Sequence, residues 1–260
     1  MALSLLSDIM CANPRHAYCA SILTLLACYV YSRRSLMHSS LLSDIPNIRY
    51  GFGNAQHLIP VSLSPYWHQA PQKKQVHGID IVEVTSPQQD CGNADGFFTR
   101  LPEIPISIVT ADCVPVLFAR RDGQMIAAVH AGWRGLRYGI IPALWHRLSE
   151  LGEHPDHWVA AIGSHIDACC FEVSEELAKE FIQAYPEVAP ERIQPRHRHL
   201  DLNAIAHIEI RKTGIHAIDN LCQCTRCTSD PENGFLYRSY RRGDRNSHQH
   251  TGLVILKTSG

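Results

Sequence analysis

Apolar positions in this chain follow one period in its middle and another on either side. Residues 106–109, 114–118 and 125–129 are near-continuous apolar runs, the pattern of short strands covered on both faces. The first run leads into Thr110-Ala111-Asp112-Cys113, Asp122-Gly123 turns the second into the third, and the third opens directly into His130-Ala131-Gly132-Trp133-Arg134-Gly135. Beyond Gly135, Leu136, Ile140, Leu144, Leu148 and Leu151 recur every three to four residues. That spacing predicts a helix stopped by Gly152 and bent by Pro142. Residues 79–84 alternate as a strand just after Gln75-Val76-His77-Gly78, and residues 157–162 form another run ending at Gly163. Ser174 is placed to cap a helix carrying Leu177, Phe181, Ile182 and Tyr185 on one face, and Asp201 to cap a second carrying Leu202, Ile205 and Ile208. Gly51-Phe52-Gly53-Asn54 reads as a turn, residues 90–96 as a turn-rich segment containing Cys91 and Asp95, and residues 253–256 as the last strand.

Strands interleaved with helices at uneven spacing predict an α+β fold: a three-layer α/β sandwich with a mixed sheet, forming a single catalytic domain over residues 41–260. Residues 1–40 stand apart as a poorly organised extension. Their apolar run, residues 20–31, is followed by Arg33 and Arg34 and falls short of the roughly 20 residues that span a bilayer. Met37 is an alternative start for the chain.

Charge narrows the partners. With 24 basic and 25 acidic residues the formal net charge is -1, so no long-range field gathers nucleic acid or an anionic membrane; neither partner is expected. Ten cysteines and sixteen histidines are many for 260 residues. The cysteines fall in separate groups in a chain too large for a disulfide-stapled mini-domain, which points to a reducing, cytoplasmic setting with thiols used for metal or chemistry.

His77 precedes Cys113 by 36 residues and His130 follows it by 17, each beside small or turn-forming neighbours. Two imidazoles and one thiolate suit Zn2+ with a fourth position open. The same three suit a cysteine nucleophile with a histidine base, or three ordinary buried side chains, and residue types alone leave all three readings open. Asp112 is placed to orient an imidazole or to cap a turn, and Arg134, Arg241 and Arg242 to contact an anion or to pair at the surface. Trp133 suits base stacking or packing. Gly132 and Gly135 suit a tight strand-to-loop passage better than a phosphate cradle, since no Lys-Ser/Thr follows. Cys222, Cys224 and Cys227, with Cys91 as a fourth, suggest either a second metal site or free thiols. Cys169 and Cys170 would diverge on a strand and read as buried structural residues, while His197, His199, His248 and His250 read as exposed in polar loops.

Six motifs in order then bring a resemblance: Gln75-Val76-His77-Gly78, Thr110-Ala111-Asp112-Cys113-Val114-Pro115, His130-Ala131-Gly132-Trp133-Arg134-Gly135, Ile162-Gly163 with Cys169-Cys170-Phe171-Glu172-Val173, Asp201-Leu202-Asn203, and Ser239-Tyr240-Arg241-Arg242. Over residues 48–256 the chain resembles the laccase-domain family. Its members were described first as polyphenol oxidases and later as zinc-dependent purine nucleoside phosphorylases with adenosine deaminase activity; a bacterial branch is named peptidoglycan editing factor. The resemblance implies an α/β/α-type sandwich, usually monomeric, with His77, Cys113 and His130 as zinc ligands. It also implies adenosine, inosine, guanosine and methylthioadenosine as substrates, with inorganic phosphate as co-substrate. Alternatives are a peptidoglycan-precursor editing hydrolase, a Cu2+-dependent polyphenol oxidase and a non-enzymatic zinc-stabilised interaction protein. A multicopper oxidase needs many His-x-His pairs, and His197-Arg198-His199 and His248-Gln249-His250 are too few. The chain departs from the family pattern twice: the family's usual arginine is absent at Asn54 and again at Leu253.

Overall fold

In the computed structural model, residues 38–221 and 223–257 are described. The extension over residues 1–40 and the Met37 start therefore lie almost wholly outside the described residues, as does Cys222. A compact unit runs from Ser39 onward. Its strands are β1 Ile48–Phe52, β2 Gln72–Lys74, β3 Ile81–Glu83, β4 Asp90–Asn93, β5 Gly96–Thr99, β6 Ile106–Thr110, β7 Val114–Arg120, β8 Ile126–Ala131, β9 Trp158–Ile162, β10 Ile218–Asn220, β11 Ser229–Asp230, β12 Gly234–Phe235 and β13 Gln249–Ile255. Its helices are α1 Ser40–Ser43, α2 Trp133–Tyr138, α3 Ile140–Glu150, α4 Glu175–Ala184, α5 Pro190–Ile193 and α6 Leu202–Lys212. None of these helices is long and apolar enough to cross a membrane.

The apolar runs are the centre of two stacked sheets. A six-stranded mixed sheet has the order β10-β9-β7-β8-β5-β3, and a three-stranded sheet the order β1-β13-β6. In the larger sheet β7 is antiparallel to β8 and β9, whereas β9–β10 and β3–β5 are parallel. Alternation along β7 explains why its run is continuous. Val114, Val116 and Phe118 join the core beneath α2, α3, α4 and α6 through Leu136, Ile140, Leu144, Phe181 and Ile205. Leu117 and Ala119 point to the other face, where the small sheet packs, and are 0% exposed. Burying each large apolar side chain contributes about 1.5–3 kcal/mol, so both faces hold the strands in register.

The result is the expected α+β sandwich in three layers. Among the described residues the layer opposite the main helices is the three-stranded sheet, where the resemblance implied helices. Ser174 and Asp201 cap as expected: the Ser174 hydroxyl accepts from the Leu177 N–H, and the Asp201 carboxylate from the Ala204 N–H. The helix after His130 is broken at Gly139 (φ 89°), which ends α2 and caps α3, and not at Pro142. Pro142 falls in the first turn of α3, where its missing N–H has no intrahelical acceptor to lose. Gly51 is no turn: β1 runs through it and pairs it with Gly252. The last strand begins at Gln249, not 253, and places His250 in β13 opposite Val109, half-buried and edge-on to Trp67 at 4.8 Å. The polar Gln249-His250-Thr251 opening hid that strand, because it reads as a loop until its pairing with β6 is known.

Candidate metal centre

The register of β7 against β8 pairs Val114 with Ala131 and Pro115 with His130, so Cys113, just before β7, comes to the same end of the sheet as His130. Continued by one step, that register sets Gly132 across from Cys113. A Cβ at position 132 would lie 3.0 Å from the Cys113 Sγ and 3.0 Å from the His77 Cδ2. Gly132 is therefore needed for space, its own φ of -66° being open to any residue.

His77 arrives from the loop between β2 and β3 with φ 61°, a left-handed conformation that costs a side-chain-bearing residue about 1 kcal/mol or more. One carboxylate holds it there. Asp95, 0% exposed between β4 and β5, accepts from the backbone N–H groups of Val76 (3.0 Å), His77 (3.0 Å) and Gly78 (2.8 Å). The same carboxylate lies 2.7 Å from Nδ1 of His130. That contact leaves Nε2 of His130 as the nitrogen able to join His77 and Cys113.

The His77 Nε2 is 3.8 Å from the Cys113 Sγ, the two imidazole rings meet edge-on at 4.7 Å, and the three donor atoms lie within 4.8 Å of one another. A tetrahedral ion with metal–nitrogen bonds of about 2.0 Å and metal–sulfur bonds of about 2.3 Å needs a nitrogen–sulfur edge of about 3.5 Å, close to the observed spacing. Burial alone would raise the Cys113 thiol, yet the charge and hydrogen bond of His130, with the His77 contact, bring it down to about 6. Burial likewise opposes protonation of His130, but the Cys113 thiolate and the Asp95 hydrogen bond raise it to about 9. Asp95 sits below the usual carboxylate range despite its burial, through the His130 hydrogen bond and the N–H groups of Gly78 and Val76. The site is thus a thiolate set against a carboxylate-backed imidazole. This donor set can coordinate a metal ion, and the Asp95–His130 contact is the outer support that metal-binding imidazoles use.

Asp95 was missed in the sequence, where Ala94-Asp95-Gly96 reads as a turn; its signal was a carboxylate set directly against the wholly apolar start of β5. Asp112 does not take that role. Its carboxylate accepts from the Thr225 hydroxyl at 2.7 Å and from the Arg241 N–H at 2.7 Å, so the residue preceding Cys113, itself at φ 92°, clasps two distant loops.

The three arginines differ. Arg242 donates through its two terminal nitrogens to the carbonyls of Thr225, Arg226 and Tyr237 and to the Asp244 carboxylate, so its fork is committed to the fold. Arg241 is exposed; one nitrogen donates to the Glu172 carbonyl at 2.8 Å and the guanidinium lies 5.2 Å from the Phe171 ring. Arg134 is exposed and stacks on Trp133 at 4.5 Å. At the two departures from the family pattern, the Asn54 side chain accepts from the N–H groups of Gln56 and His57, and Leu253 is wholly buried in β13.

Among the described residues, two groups of side chains are able to hold a metal: this one, and Cys169, Cys170, Cys224 and Cys227. None of His197, His199, His248 and His250 belongs to either. Cys91 belongs to neither, lying buried on β4. Cys169 and Cys170 occupy a turn, not a strand, which is why their side chains converge, and Cys169 is exposed. A recess lined by Arg120, Arg121, Asp122 and His157 lies at the far end of β7 from Cys113. Seven residues of strand separate them by about 20 Å, too far for one small substrate to touch both.

Residues 61–257 match the family model described as multi-copper polyphenol oxidoreductase laccase. A purine nucleoside phosphorylase of Streptomyces coelicolor is 34% identical over 184 residues, covering 70% of this chain and 73% of that protein. The purine nucleoside phosphorylase YfiH of Escherichia coli is 31% identical over 166 residues, covering 64% of this chain and 66% of that protein. In fold, the crystal structure of the hypothetical protein YfiH from Bacillus licheniformis superposes with a TM-score of 0.66 at 20% identity, covering 81% of this chain and 93% of that one. The chain spans about two thirds to three quarters of the length of these curated relatives.

Proposed function

The chain belongs to the multi-copper polyphenol oxidoreductase laccase family, and we propose that within it this protein is a zinc-dependent purine nucleoside phosphorylase with a slower adenosine deaminase activity. The observation that carries the reading is the convergence of His77, Cys113 and His130 on one point with Asp95 behind them. The relatives named as purine nucleoside phosphorylases support the reaction class. Adenosine, inosine, guanosine and methylthioadenosine are the proposed substrates.

A zinc ion bound there would supply a Lewis acid with one open position. The residues do the rest. Asp95 fixes the His130 ring and the His77 loop together, so the donors are pre-set and need not reorganise on binding. Phosphorolysis forms a bond from a phosphate oxygen to the ribosyl carbon as the bond to the purine nitrogen breaks, so it needs the phosphate held in place. Arg241 is the best placed of the candidate arginines, because its backbone N–H is anchored on Asp112 beside Cys113 while its exposed guanidinium spends one nitrogen on Glu172. Arg134 is the second candidate. Arg242 acts through the fold.

The thiolate character of Cys113 beside a protonated His130 favours a second reading, a metal-free cysteine nucleophile. One assay separates the two. Purified protein given adenosine is expected to form adenine and ribose 1-phosphate only with zinc and inorganic phosphate both present, with inosine appearing more slowly. Phosphate must be carried well into the millimolar range, because Asn54 and Leu253 replace two family arginines. Adenine formed at the same rate without phosphate would replace phosphorolysis with hydrolysis, and full activity after metal removal would favour the nucleophile. Complete inertness toward purine nucleosides would overturn the proposal.

A further inference from the structure

We infer that Cys169, Cys170, Cys224 and Cys227 form a second, independent zinc site. All four sulfur atoms lie within 4.8 Å of one another, with Cys169 Sγ 3.6 Å from Cys170 Sγ and 3.7 Å from Cys227 Sγ. A tetrahedral four-thiolate zinc has metal–sulfur bonds of about 2.3 Å and hence sulfur–sulfur edges of about 3.8 Å. The cluster already has those dimensions, with the cysteines present as free thiols.

Two turns build it. Cys169 and Cys170 lie on the turn closed by the Cys170 and Phe171 N–H groups on the Asp167 carbonyl, at 2.8 and 2.9 Å. Cys224 and Cys227 lie on a second turn, closed by the Thr228 N–H on the Cys224 carbonyl at 3.0 Å. The turns are joined without any metal: the Thr225 N–H donates to the His165 carbonyl at 2.8 Å, and the Asp167 N–H points at the Cys224 Sγ from 3.5 Å. Backbone N–H groups of Arg226 and Cys227 also turn toward that sulfur, the arrangement by which a Cys-x-x-Cys turn stabilises a thiolate. Arg196, donating to the Cys169 carbonyl, and Arg242, donating to those of Thr225 and Arg226, place positive charge beside what would be a doubly negative complex.

The chemistry selects the ion. Four cysteine sulfurs with no carboxylate or carbonyl among them suit a soft or borderline cation, and zinc needs neither redox change nor a special geometry. The site is closed, with four protein ligands, and so its role is to brace. The turn it would clamp carries Thr225, whose hydroxyl holds the Asp112 carboxylate beside Cys113.

Metal analysis of the full chain, purified with reductant and zinc, tests the site. About two zinc ions per chain are expected in the unmutated protein and about one in Cys113→Ala. The double variant Cys224→Ser/Cys227→Ser is also expected to hold about one, and the combination almost none. Cobalt loaded into Cys113→Ala protein is expected to show the strong thiolate charge-transfer and visible bands of a four-sulfur tetrahedron, lost on adding Cys169→Ser. If the double variant does not fold, mercurial titration of the Cys113→Ala protein, with a chromophoric chelator reading released zinc, counts the four-thiol ion directly. One zinc in the unmutated chain that disappears with Cys113→Ala would overturn the site. So would a disulfide from Cys169 to Cys170 or Cys227 in protein folded under reductant. These counts stand whether or not any nucleoside is consumed.

Discussion

Cys113 and His130 come from strand ends and meet through the register of β7 and β8, with His77 brought to them by a loop held on Asp95, whereas Cys169, Cys170, Cys224 and Cys227 come from two tight turns laid side by side. The first group is fixed by a buried carboxylate that holds a ring and a strained loop at once. The second is fixed by local backbone hydrogen bonds and has two of its sulfurs at exposed positions. The difference shows in their protons. Cys113 is already inclined to the thiolate, at about 6, and the proton to be displaced sits on His130. In the four-thiol group the Cys169 contact, with backbone N–H groups, draws Cys224 down to about 5 against its burial; burial and the Cys224 charge push Cys227 up to about 12, and the Cys224 contact with burial raises Cys169. The first site thus has about one proton to give up when it takes its ion, and the second at least two.

The sharpest way to break this contrast is to remove one sulfur from each. Cys113→Ala is expected to cut nucleoside turnover by about 10³-fold or more, since losing a bound ion forfeits several kcal/mol of transition-state stabilisation. Cys227→Ser is expected to leave turnover within about tenfold while lowering the melting temperature, because a structural zinc contributes to folding. Steady-state rates and thermal unfolding of both variants decide it; equal losses of turnover would erase the distinction.

The protons give the next largest effect. Zinc binding must release about one proton from the first site, that of His130, and at least two from the second, those of Cys169 and Cys227. Proton release favours binding as pH rises. Between pH 7 and 8 the apparent zinc affinity should therefore climb about tenfold at the first site and about 100-fold or more at the second. The slope at the first site should vanish above about 9, where His130 loses its proton in the metal-free protein. Chelator competition on Cys227→Ser and Cys113→Ala proteins measures each site alone, and equal slopes would contradict the contrast.

Asp95→Asn probes the support of the first site without touching a donor. It is expected to weaken zinc binding there about 10–100-fold, the usual cost of losing such a contact. Zinc at the four-thiol site should be unchanged. The smallest effects separate two neighbouring arginines. Arg241→Ala should raise the phosphate KM a few-fold at nearly constant melting temperature. Arg242→Ala should instead lower stability by about 2 kcal/mol, because three carbonyls lose their charged donor and Asp244 loses its guanidinium partner. Melting curves beside phosphate titrations check both.

The two regions were also unequally legible. The central strands and the Ser174 and Asp201 caps follow from short-range patterns, while the grouping of His77, Cys113 and His130 as one set is implied by the family resemblance alone, and the structure brings those three together. Asp95 stayed hidden because its role is to bridge a loop 18 residues before it and a strand residue 35 after it, and nothing local distinguishes such an aspartate from a turn residue. The same limit explains Asp112, whose partners Thr225 and Arg241 lie 113 and 129 residues away. For the four-thiol group the Cys-x-x-Cys spacing at Cys224 and Cys227 is visible in the sequence, but the sequence offers Cys222 and Cys91 as its partners. Cys169-Cys170 reads in the sequence as an adjacent pair diverging on a strand, and only the fold reveals the turn that brings these two sulfurs round.

The central claim, that the His77–Cys113–His130 group holds the zinc on which phosphorolysis depends, is met most directly by restoring zinc stepwise to metal-free protein and following adenine release from adenosine in saturating phosphate. The rate should rise from background to a plateau in the unmutated chain and stay at background in His77→Ala at every zinc level. Full adenine release before any zinc is added, or a His77→Ala protein that reaches the same plateau, would contradict it.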